Sequence, residues 1–103
     1  MKSKNQLTIQ KLVTIVMAHR EQGQTELSKE IGISQSSLNR YIQGANSQNK
    51  SSIENYMKIE EYIVEGLTDV GETIFGSLNK RQKNNIENVV NSCIDPYITE
   101  KKE

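Results

Sequence analysis

Five polar side chains fall on one side of a short helix that the sequence predicts between residues 35 and 43. They carry amide, hydroxyl and guanidinium groups and include no carboxylate: Gln35, Ser36, Asn39, Arg40 and Gln43. Glutamine matches the N6 and N7 atoms of adenine through two hydrogen bonds, and arginine matches O6 and N7 of guanine. Acidic side chains would be repelled by phosphate, and this face has none. The row therefore indicates chemistry suited to base edges in the major groove of a DNA duplex.

Two short helices and a glycine turn are expected to position that row. Leu27 and Ile31 lie four residues apart on the first helix, and Gly32 supplies the positive φ that the turn requires. Ser34 is a favourable N-cap for the second helix. The inner side of the second helix is apolar, with Leu38, Tyr41 and Ile42. This arrangement is a helix-turn-helix unit.

The segment from Gln24 to Gly44 carries a recurrent spacing at nine positions: Gln24, Leu27, Ser28, Gly32, Ile33, Ser34, Gln35, Leu38 and Gly44. On these residues it resembles the helix-turn-helix of the phage Cro and repressor family, the XRE type of bacterial regulators. Predicted helices at 7–22 and 53–65 agree with that family's helical domain, so the resemblance covers about the first 66 residues. Ser28 replaces the usual alanine. The loop from Gly44 to Ile53 is longer than usual and lacks the common proline.

The resemblance implies a role for each polar residue of the motif. Gln24 would contact phosphate and brace Gln35. Base edges would be read by four side chains of the second helix, Gln35, Ser36, Asn39 and Arg40. The phosphate backbone would also be contacted by Gln43, Asn46 and Lys50. Two other interpretations stay open: an ordinary helical hairpin with a glycine turn, and a helix-turn-helix that has lost DNA binding and serves a protein partner.

Apolar residues at helical spacing predict a helix on each side of the motif. The stripe of the first, at residues 7–22, comprises Ile9, Leu12, Val13, Val16 and Met17. The stripe of the later helix comprises Ile53, Tyr56, Met57, Ile63 and Val64. The expected caps are Thr8 or Asn5 for the first helix and Ser51 or Ser52 for the later one. Gly23 and Gly66 are expected to end the two helices.

The C-terminal part of the chain predicts one further clear helix, at residues 79–94, with Asn79 as its N-cap and Pro96 blocking its continuation. Residues 67–77 contain two glycines and fit either a short helix or an irregular segment. The apolar stripe of the last helix comprises Ile86, Val89, Val90, Cys93 and Ile94. This stripe either packs on its own domain or pairs with the same helix of a second chain. We favour pairing, because dimers read two half-sites and so gain affinity.

The charge of the chain is balanced overall but divided between its halves. Residues 1–50 carry seven basic and three acidic residues, a net charge of +4, and residues 51–103 carry six and ten, a net charge of −4. The predicted helix-turn-helix lies in the basic half. Lys80, Arg81 and Lys83 open the last helix, where the macrodipole disfavours cations. We expect these three to be a solvated face rather than a second DNA contact.

Several functional classes lack support in the sequence. No set of Ser, His and Asp resembles a catalytic triad and no glycine-rich phosphate loop is present, so we expect no enzyme. No second His or Cys is spaced for zinc, so we expect no metal and no cofactor. No apolar run is long enough for a membrane span, and we read no signal peptide. Cys93 stands alone, which fits a reducing cytoplasm.

The sequence as a whole predicts an all-α protein. A four- or five-helix helix-turn-helix DNA-binding domain at residues 1–66 is expected to precede a C-terminal helical dimerisation extension at residues 67–103. The resemblance implies a regulator that binds a double-stranded DNA operator sequence-specifically, as a homodimer and as a repressor, of a kind often borne by phages or plasmids. The acidic C-terminal half also suits a protein partner, so an antitoxin or antirepressor is an alternative. A plasmid partition or replication-control protein is another.

Overall fold

Five α-helices form nearly all of the chain that the structure describes. This computed structural model describes residues 8–43 and 50–99, with side chains for 8–43 and 53–95. The helices are α1 (Ile9–Arg20), α2 (Gln24–Ile31), α3 (Gln35–Ile42), α4 (Lys50–Phe75) and α5 (Lys80–Thr99). Because these described residues contain no strand, the predicted all-α fold is confirmed. None of the helices in the described ranges has the length and apolar character needed to cross a membrane.

Side-chain caps begin three of the helices as the sequence predicts. Thr8 Oγ1 accepts a hydrogen bond from the backbone N–H three residues later at 3.2 Å, and Ser34 Oγ does the same at 3.3 Å. At the start of α5, Asn79 Oδ1 accepts from the Gln82 N–H at 2.8 Å, and Gln82 Oε1 accepts from the Asn79 N–H at 2.9 Å. Each such cap satisfies an N–H group that has no helical partner and contributes about 1 kcal/mol.

The end of α1 differs from the prediction. The helix ends at Arg20, and Glu21 adopts the left-handed conformation with φ of 55°. The Gln22 N–H then donates to the Met17 carbonyl oxygen at 3.0 Å, which closes the helix before Gly23 is reached. The prediction that Gly23 ends α1 is therefore wrong, and this glycine directly precedes α2 instead.

Gly66 lies inside the longest helix rather than at its end. The prediction that a helix stops at Gly66 is wrong, because α4 continues to Phe75, and the boundary predicted between residues 66 and 67 falls within it. A Cβ atom at Gly66 would lie 3.0 Å from the Cβ of Val16 and closer still to both methyl carbons. The glycine is therefore needed where α1 crosses α4 at short range, a role that only the folded chain reveals.

The other ends of α4 and α5 also depart from the predictions. α4 begins at Lys50, so Ser51 and Ser52 lie inside the helix instead of capping it. Residues 67–77, which the sequence left ambiguous, continue α4 as far as Phe75. α5 extends to Thr99, so Pro96 does not end it. A proline removes one helical hydrogen bond, and here that loss is not enough to stop the helix.

One hydrophobic core joins all five helices. Its buried members are Ile9, Leu12, Val13, Val16, Leu27, Ile33, Leu38, Tyr41, Ile42, Tyr56, Ile59, Tyr62, Ile63, Val90 and Ile94. The predicted inward stripe of α1 is confirmed by the burial of its first four members. Met57, predicted to face inwards on α4, is 53% exposed, so that prediction is wrong. The burial of side chains from α1 to α5 in one cluster makes the two predicted regions a single packing unit.

The apolar stripe of α5 packs on its own chain. Val90 and Ile94 have no exposed surface, and Ile86 and Cys93 are half-buried against the same core. The favoured prediction, that this stripe pairs with a second chain, is therefore wrong for Val90 and Ile94, because α1 and α4 already cover this side of α5. Only Val89 of the five is exposed. Packing on its own domain, the alternative that the sequence left open, describes this stripe.

Candidate nucleic-acid interface

α3 has two faces of different chemistry. Its inner side chains are Leu38, Tyr41 and Ile42, all buried. Its outer side chains are all exposed, as the sequence predicts: Gln35, Ser36, Asn39 and Arg40, followed by Gln43 just after the last turn. The apolar side is fully used for packing, so the polar groups of the outer side are available as a set on one rigid surface.

The turn before α3 fixes the direction in which the helix leaves α2. Gly32 has φ of 86°, and its N–H donates to the Ser28 carbonyl oxygen at 2.8 Å. A residue with a Cβ rarely adopts that conformation, so the predicted role of this glycine is confirmed. Ile33 follows and is buried in the core, where it anchors the turn. Ser34 then caps α3.

The inner side of α3 is held against α4. The rings of Tyr41 and Tyr56 meet edge to face, with centroids 4.9 Å apart and planes inclined by 66°. Asn55 Nδ2 donates to Tyr41 Oη at 3.2 Å. Leu38, one turn earlier, is completely buried. These contacts resist rotation of α3 about its own axis, so the outer side chains keep a fixed direction.

Gln35 is braced by a neighbour other than the one expected. Its Nε2 donates to Thr25 Oγ1 at 3.2 Å, so the partner is Thr25, where the resemblance implied Gln24. The contact links the first residue of α3 to the first turn of α2. This bond fixes the plane of the Gln35 amide and does not use the amide oxygen. An oriented amide suits a side chain that reads bases.

The beginning of α2 bears on the predicted phosphate contact of Gln24. Gln24 is the first residue of this helix and is half-buried. Glu26 Oε1 accepts a hydrogen bond from the Gly23 N–H at 2.7 Å, so a carboxylate already satisfies one donor at this helix end. A contact from Gln24 to phosphate therefore depends on its side-chain amide rather than on the helix terminus alone. That contact stays a prediction.

Arg40 lies in the last turn of α3 with its side chain exposed. Its Cζ lies 5.9 Å from the centroid of the Tyr41 ring, a distance at which the cation is weakly attracted to the ring face. The aromatic ring limits the conformations of a long side chain without covering its guanidinium. Of the remaining predicted contacts, Asn46 and the side chain of Lys50 lie outside the described residues.

A polar network missed by the sequence analysis joins α1, α2 and α4. Arg20 Nη2 bonds Asp69 Oδ2 at 2.9 Å, and Arg20 Nη1 lies 3.5 Å from Glu30 Oε2. The guanidinium also lies 5.2 Å from the centroid of the Tyr62 ring. Tyr62 Oη donates to Gln22 Oε1 at 2.8 Å, and Gln22 Nε2 donates to Glu30 Oε1 at 2.7 Å. Three side chains thus contact Arg20, and Gln22 links two of them, Tyr62 and Glu30.

The network holds the C-terminal end of α2 against α4. The hydrogen bond to Asp69 raises the pKa of Arg20, and burial raises the pKa of the Tyr62 hydroxyl, which therefore remains a proton donor to its amide partner. Arg20 and Asp69 are 49 positions apart, so no local sequence pattern predicts their contact. The network positions α2, the helix that precedes α3, and it crosses the boundary predicted at residue 66.

A comparison with protein-family models gives one match. Residues 19–63 match the family model described as Helix-turn-helix, which covers α2, α3, the end of α1 and the first half of α4. No curated protein and no solved structure matches the chain. The matched segment contains the glycine turn, the buried side of α3 and its exposed polar side. The second half of α4 and α5 lie outside it.

Proposed function

We propose that this chain is a sequence-specific transcriptional regulator of the XRE type that binds an operator through α3, because residues 19–63 match the helix-turn-helix family model. The observation that carries this proposal is the exposed, carboxylate-free outer face of α3, on a helix whose inner face is fully packed. A helix held in this way enters the major groove with its polar side chains in a fixed order.

Four side chains read the bases in this proposal. Gln35 and Ser36 open α3 and lie nearest the floor of the groove, and Asn39 and Arg40 follow one turn later. An amide matches adenine and a guanidinium matches guanine, and each good pair supplies about 1–3 kcal/mol of discrimination against the wrong base. Gln24, Gln43, Asn46 and Lys50 contact phosphates, which fixes the register of α3 without reading sequence.

Repression follows if the operator overlaps the site that polymerase needs. One α3 reads only a few base pairs, so two copies on half-sites about 34 Å apart give the affinity that a single copy lacks. Few Lys and Arg side chains face phosphate in this arrangement, which predicts weak nonspecific binding and a modest dependence of affinity on salt. Selectivity for the operator then depends mainly on the base contacts, which each of the two copies makes on its own half-site.

The second candidate is a protein-binding role, as in an antitoxin or an antirepressor. The observation that favours it is the acidic surface of α4 and α5, where Glu60, Glu61, Glu65 and Glu87 line one groove. In this case the helix-turn-helix serves as a scaffold. A role in plasmid partition or replication control keeps the same DNA contacts and differs only in where the site lies.

Selection of bound sequences from a random duplex library, followed by fluorescence anisotropy on the selected site, tests the proposal. Gln35→Ala and Arg40→Ala should each weaken specific binding by about 1–3 kcal/mol and leave nonspecific binding almost unchanged. Lys50→Ala should weaken binding to all sequences and reduce the salt slope. Thr14→Ala, an exposed change on α1, is the matched control and should alter neither. Failure to enrich any sequence at moderate salt would refute a specific regulator and favour the protein-binding role.

A further inference from the structure

The last turn of α4 carries the two most exposed large apolar side chains among the described residues. Ile74 is 66% exposed and Phe75 is 73% exposed. α1 covers the earlier part of α4 and ends at Arg20, whose guanidinium bonds Asp69. Ile74 and Phe75 lie more than one helical turn past Asp69, so they lie beyond the part of α4 that α1 covers.

Three cations lie at the same end of the hairpin that α4 and α5 form. They are exposed in the first turns of α5 and span about 4.5 Å along its axis: Lys80, Arg81 and Lys83. A Cβ atom at Gly71 would lie 3.0 Å from Leu78 Cδ1, so the residues before α5 fold back onto the end of α4. The name α4–α5 tip is used below for Ile74, Phe75, Lys80, Arg81 and Lys83.

No carboxylate interrupts the positive charge of the tip along the chain. Residues 73–86 carry three basic and no acidic residues, a net charge of +3, between Glu72 and Glu87. Asn79 and Gln82 satisfy backbone N–H groups at the start of α5 through their reciprocal hydrogen bonds, so the three basic side chains supply the attraction for anions. Cations at the start of a helix oppose its macrodipole and cost the free chain a little stability. An anionic partner relieves that cost.

The directions of these side chains decide which anionic partner fits. Successive helix residues point about 100° apart, so Arg81 and Lys83 project about 100° and 300° around α5 from Lys80. A narrow acidic peptide on one side of the hairpin would meet only part of this set. A broad surface that the tip approaches end-on meets all three cations, because the long stems of Lys and Arg bend towards an interface. A DNA duplex is also broad and anionic, but it offers no apolar layer to Ile74 and Phe75.

We propose that the α4–α5 tip binds the surface of an anionic lipid bilayer. Ile74 and Phe75 enter the boundary between headgroups and acyl chains, and the three cations contact headgroup phosphates. Two apolar side chains and three cations supply limited attraction, so the binding is peripheral and reversible. The other end of α4 has the opposite chemistry. Met57 is 53% exposed there, but Glu60 and Glu61 line the same groove, so an anionic surface repels it.

Lipid binding at the tip is separate from DNA binding, because the tip and α3 lie at different ends of α4. Tyr56, whose ring packs on Tyr41 of α3, precedes Phe75 by about 28 Å along the helix axis. The exposed face of α3 is therefore not part of the lipid contact. The proposal thus goes beyond operator binding and adds a second ligand, at which the chain is held whether or not DNA is bound.

Tryptophan fluorescence tests the contact, because the chain has no tryptophan of its own. The emission of a Phe75→Trp variant should shift to the blue on vesicles of equal parts phosphatidylglycerol and phosphatidylcholine, since the indole ring leaves water. Phosphatidylcholine alone should cause no shift. Met57→Trp, exposed on the same helix among carboxylates, is the matched control and should show no shift on either vesicle. Equal shifts of both reporters, or no shift of either, would overturn the proposal.

Co-sedimentation with the same anionic vesicles measures what each group contributes. Each cation near an anionic surface strengthens binding about fivefold, so the combined Lys80→Gln, Arg81→Gln and Lys83→Gln variant should bind about a hundredfold more weakly. Phe75→Ser should bind about tenfold more weakly. Lys29→Gln, at an exposed cation of α2 outside the tip, should bind as the wild type does. Circular dichroism melting verifies that each variant is folded, and a folded tip variant with unchanged vesicle binding contradicts the proposal.

Two further ligands separate a bilayer from other anionic partners. A duplex oligonucleotide and a peptide rich in glutamate and leucine are each added to the Phe75→Trp chain without vesicles. A blue shift with either one, and none with anionic vesicles, assigns the tip to that partner and overturns lipid binding. A chain that enriches a DNA sequence but does not bind vesicles also overturns it and leaves the regulator in place. Vesicle binding that persists in Arg40→Ala shows that the two ligands use different surfaces.

Discussion

The outer face of α3 and the outer face of α4 are both left exposed by the same core, yet their compositions differ. On α3 every apolar side chain is buried, and what remains outside is polar and nearly uncharged. On α4 apolar side chains remain outside, next to carboxylates at one end. A polar face with no apolar excess suits a hydrated ligand such as DNA. A face with exposed apolar side chains suits a protein or lipid surface that covers it.

The largest expected effect tests the contrast between the two sides of α3. Leu38→Ala removes a completely buried side chain and should lower the free energy of unfolding by about 2–5 kcal/mol. Asn39→Ala, the adjacent exposed position, should change it by less than about 0.5 kcal/mol while weakening binding to the selected DNA site. Urea titration followed by circular dichroism measures both. Similar losses of stability would show that the outer side of α3 also supports the fold.

The next effect tests how closely α4 packs against α1. Gly66→Ala should lower the free energy of unfolding by about 1–3 kcal/mol despite the better helix propensity of alanine, because the new methyl group overlaps Val16. Glu65→Ala, the exposed neighbour, is the control.

A double-mutant cycle makes this test sharper. Val16→Ala removes the overlapping methyl groups, so adding Gly66→Ala to Val16→Ala should cost less than it does in the wild type, as expected for residues in contact. If the two changes are additive, α1 does not limit the residue at position 66, and the close crossing of the helices does not explain this glycine.

A smaller effect tests the ion pair between Arg20 of α1 and Asp69 of α4. Asp69→Asn weakens the partner of Arg20 and should lower the free energy of unfolding by about 0.5–1 kcal/mol, because both side chains are partly exposed and solvent screens the pair. The loss should shrink in 1 M salt. Glu72→Gln, one turn later and exposed, should show no comparable loss. An Asp69→Asn variant as stable as the wild type at low salt would make the network a surface contact without energetic weight.

The smallest effect tests the acidic field of α4. Burial, Asp95 and Glu87 raise the pKa of Glu60 in the folded chain above its ordinary value. The folded state therefore holds the proton more tightly, so the contribution of Glu60 is fully favourable below the ordinary carboxyl pKa and is lost as pH rises through the folded value. Glu60→Gln should then gain a few tenths of a kcal/mol over the wild type at pH 7.

The matching measurement is urea unfolding at pH 3.5 and pH 7. The advantage of Glu60→Gln should be present at the higher pH and absent at the lower one. Glu54→Gln, exposed on the same helix, should stay within about 0.5 kcal/mol of the wild type at both. An advantage of the variant at low pH, or none at pH 7, would contradict the sign of the shift.

Features that depend on neighbours in sequence were predictable. The caps at Thr8, Ser34 and Asn79 and the turn at Gly32 each depend on a few consecutive residues, whose side chains and backbone meet over one helical turn. The exposed row of α3 follows in the same way from the spacing of its buried side. The helix-turn-helix was therefore predictable together with the chemistry of its outer surface.

Features that depend on distant partners were not predictable. Gly66 suggested a helix end, because a sequence does not show that Val16 of another helix needs the space. Arg20 and Asp69 are too far apart in sequence for any local pattern to relate them. Apolar periodicity correctly indicated that the stripe at Val90 and Ile94 is covered, but it does not specify whether the cover is the same chain or another.

Ile94 is buried in the same core as the side chains of α1, and this has a consequence for folding during synthesis. α5 contacts α1 as well as α4, so partners at opposite ends of the described chain must meet before the core is complete. During synthesis α3 leaves the ribosome before Ile94 does, and until then the surfaces of α1 and α4 that α5 covers are open to solvent. Domains generally fold as units. The core against which α3 packs is therefore complete only after Ile94 has been synthesised.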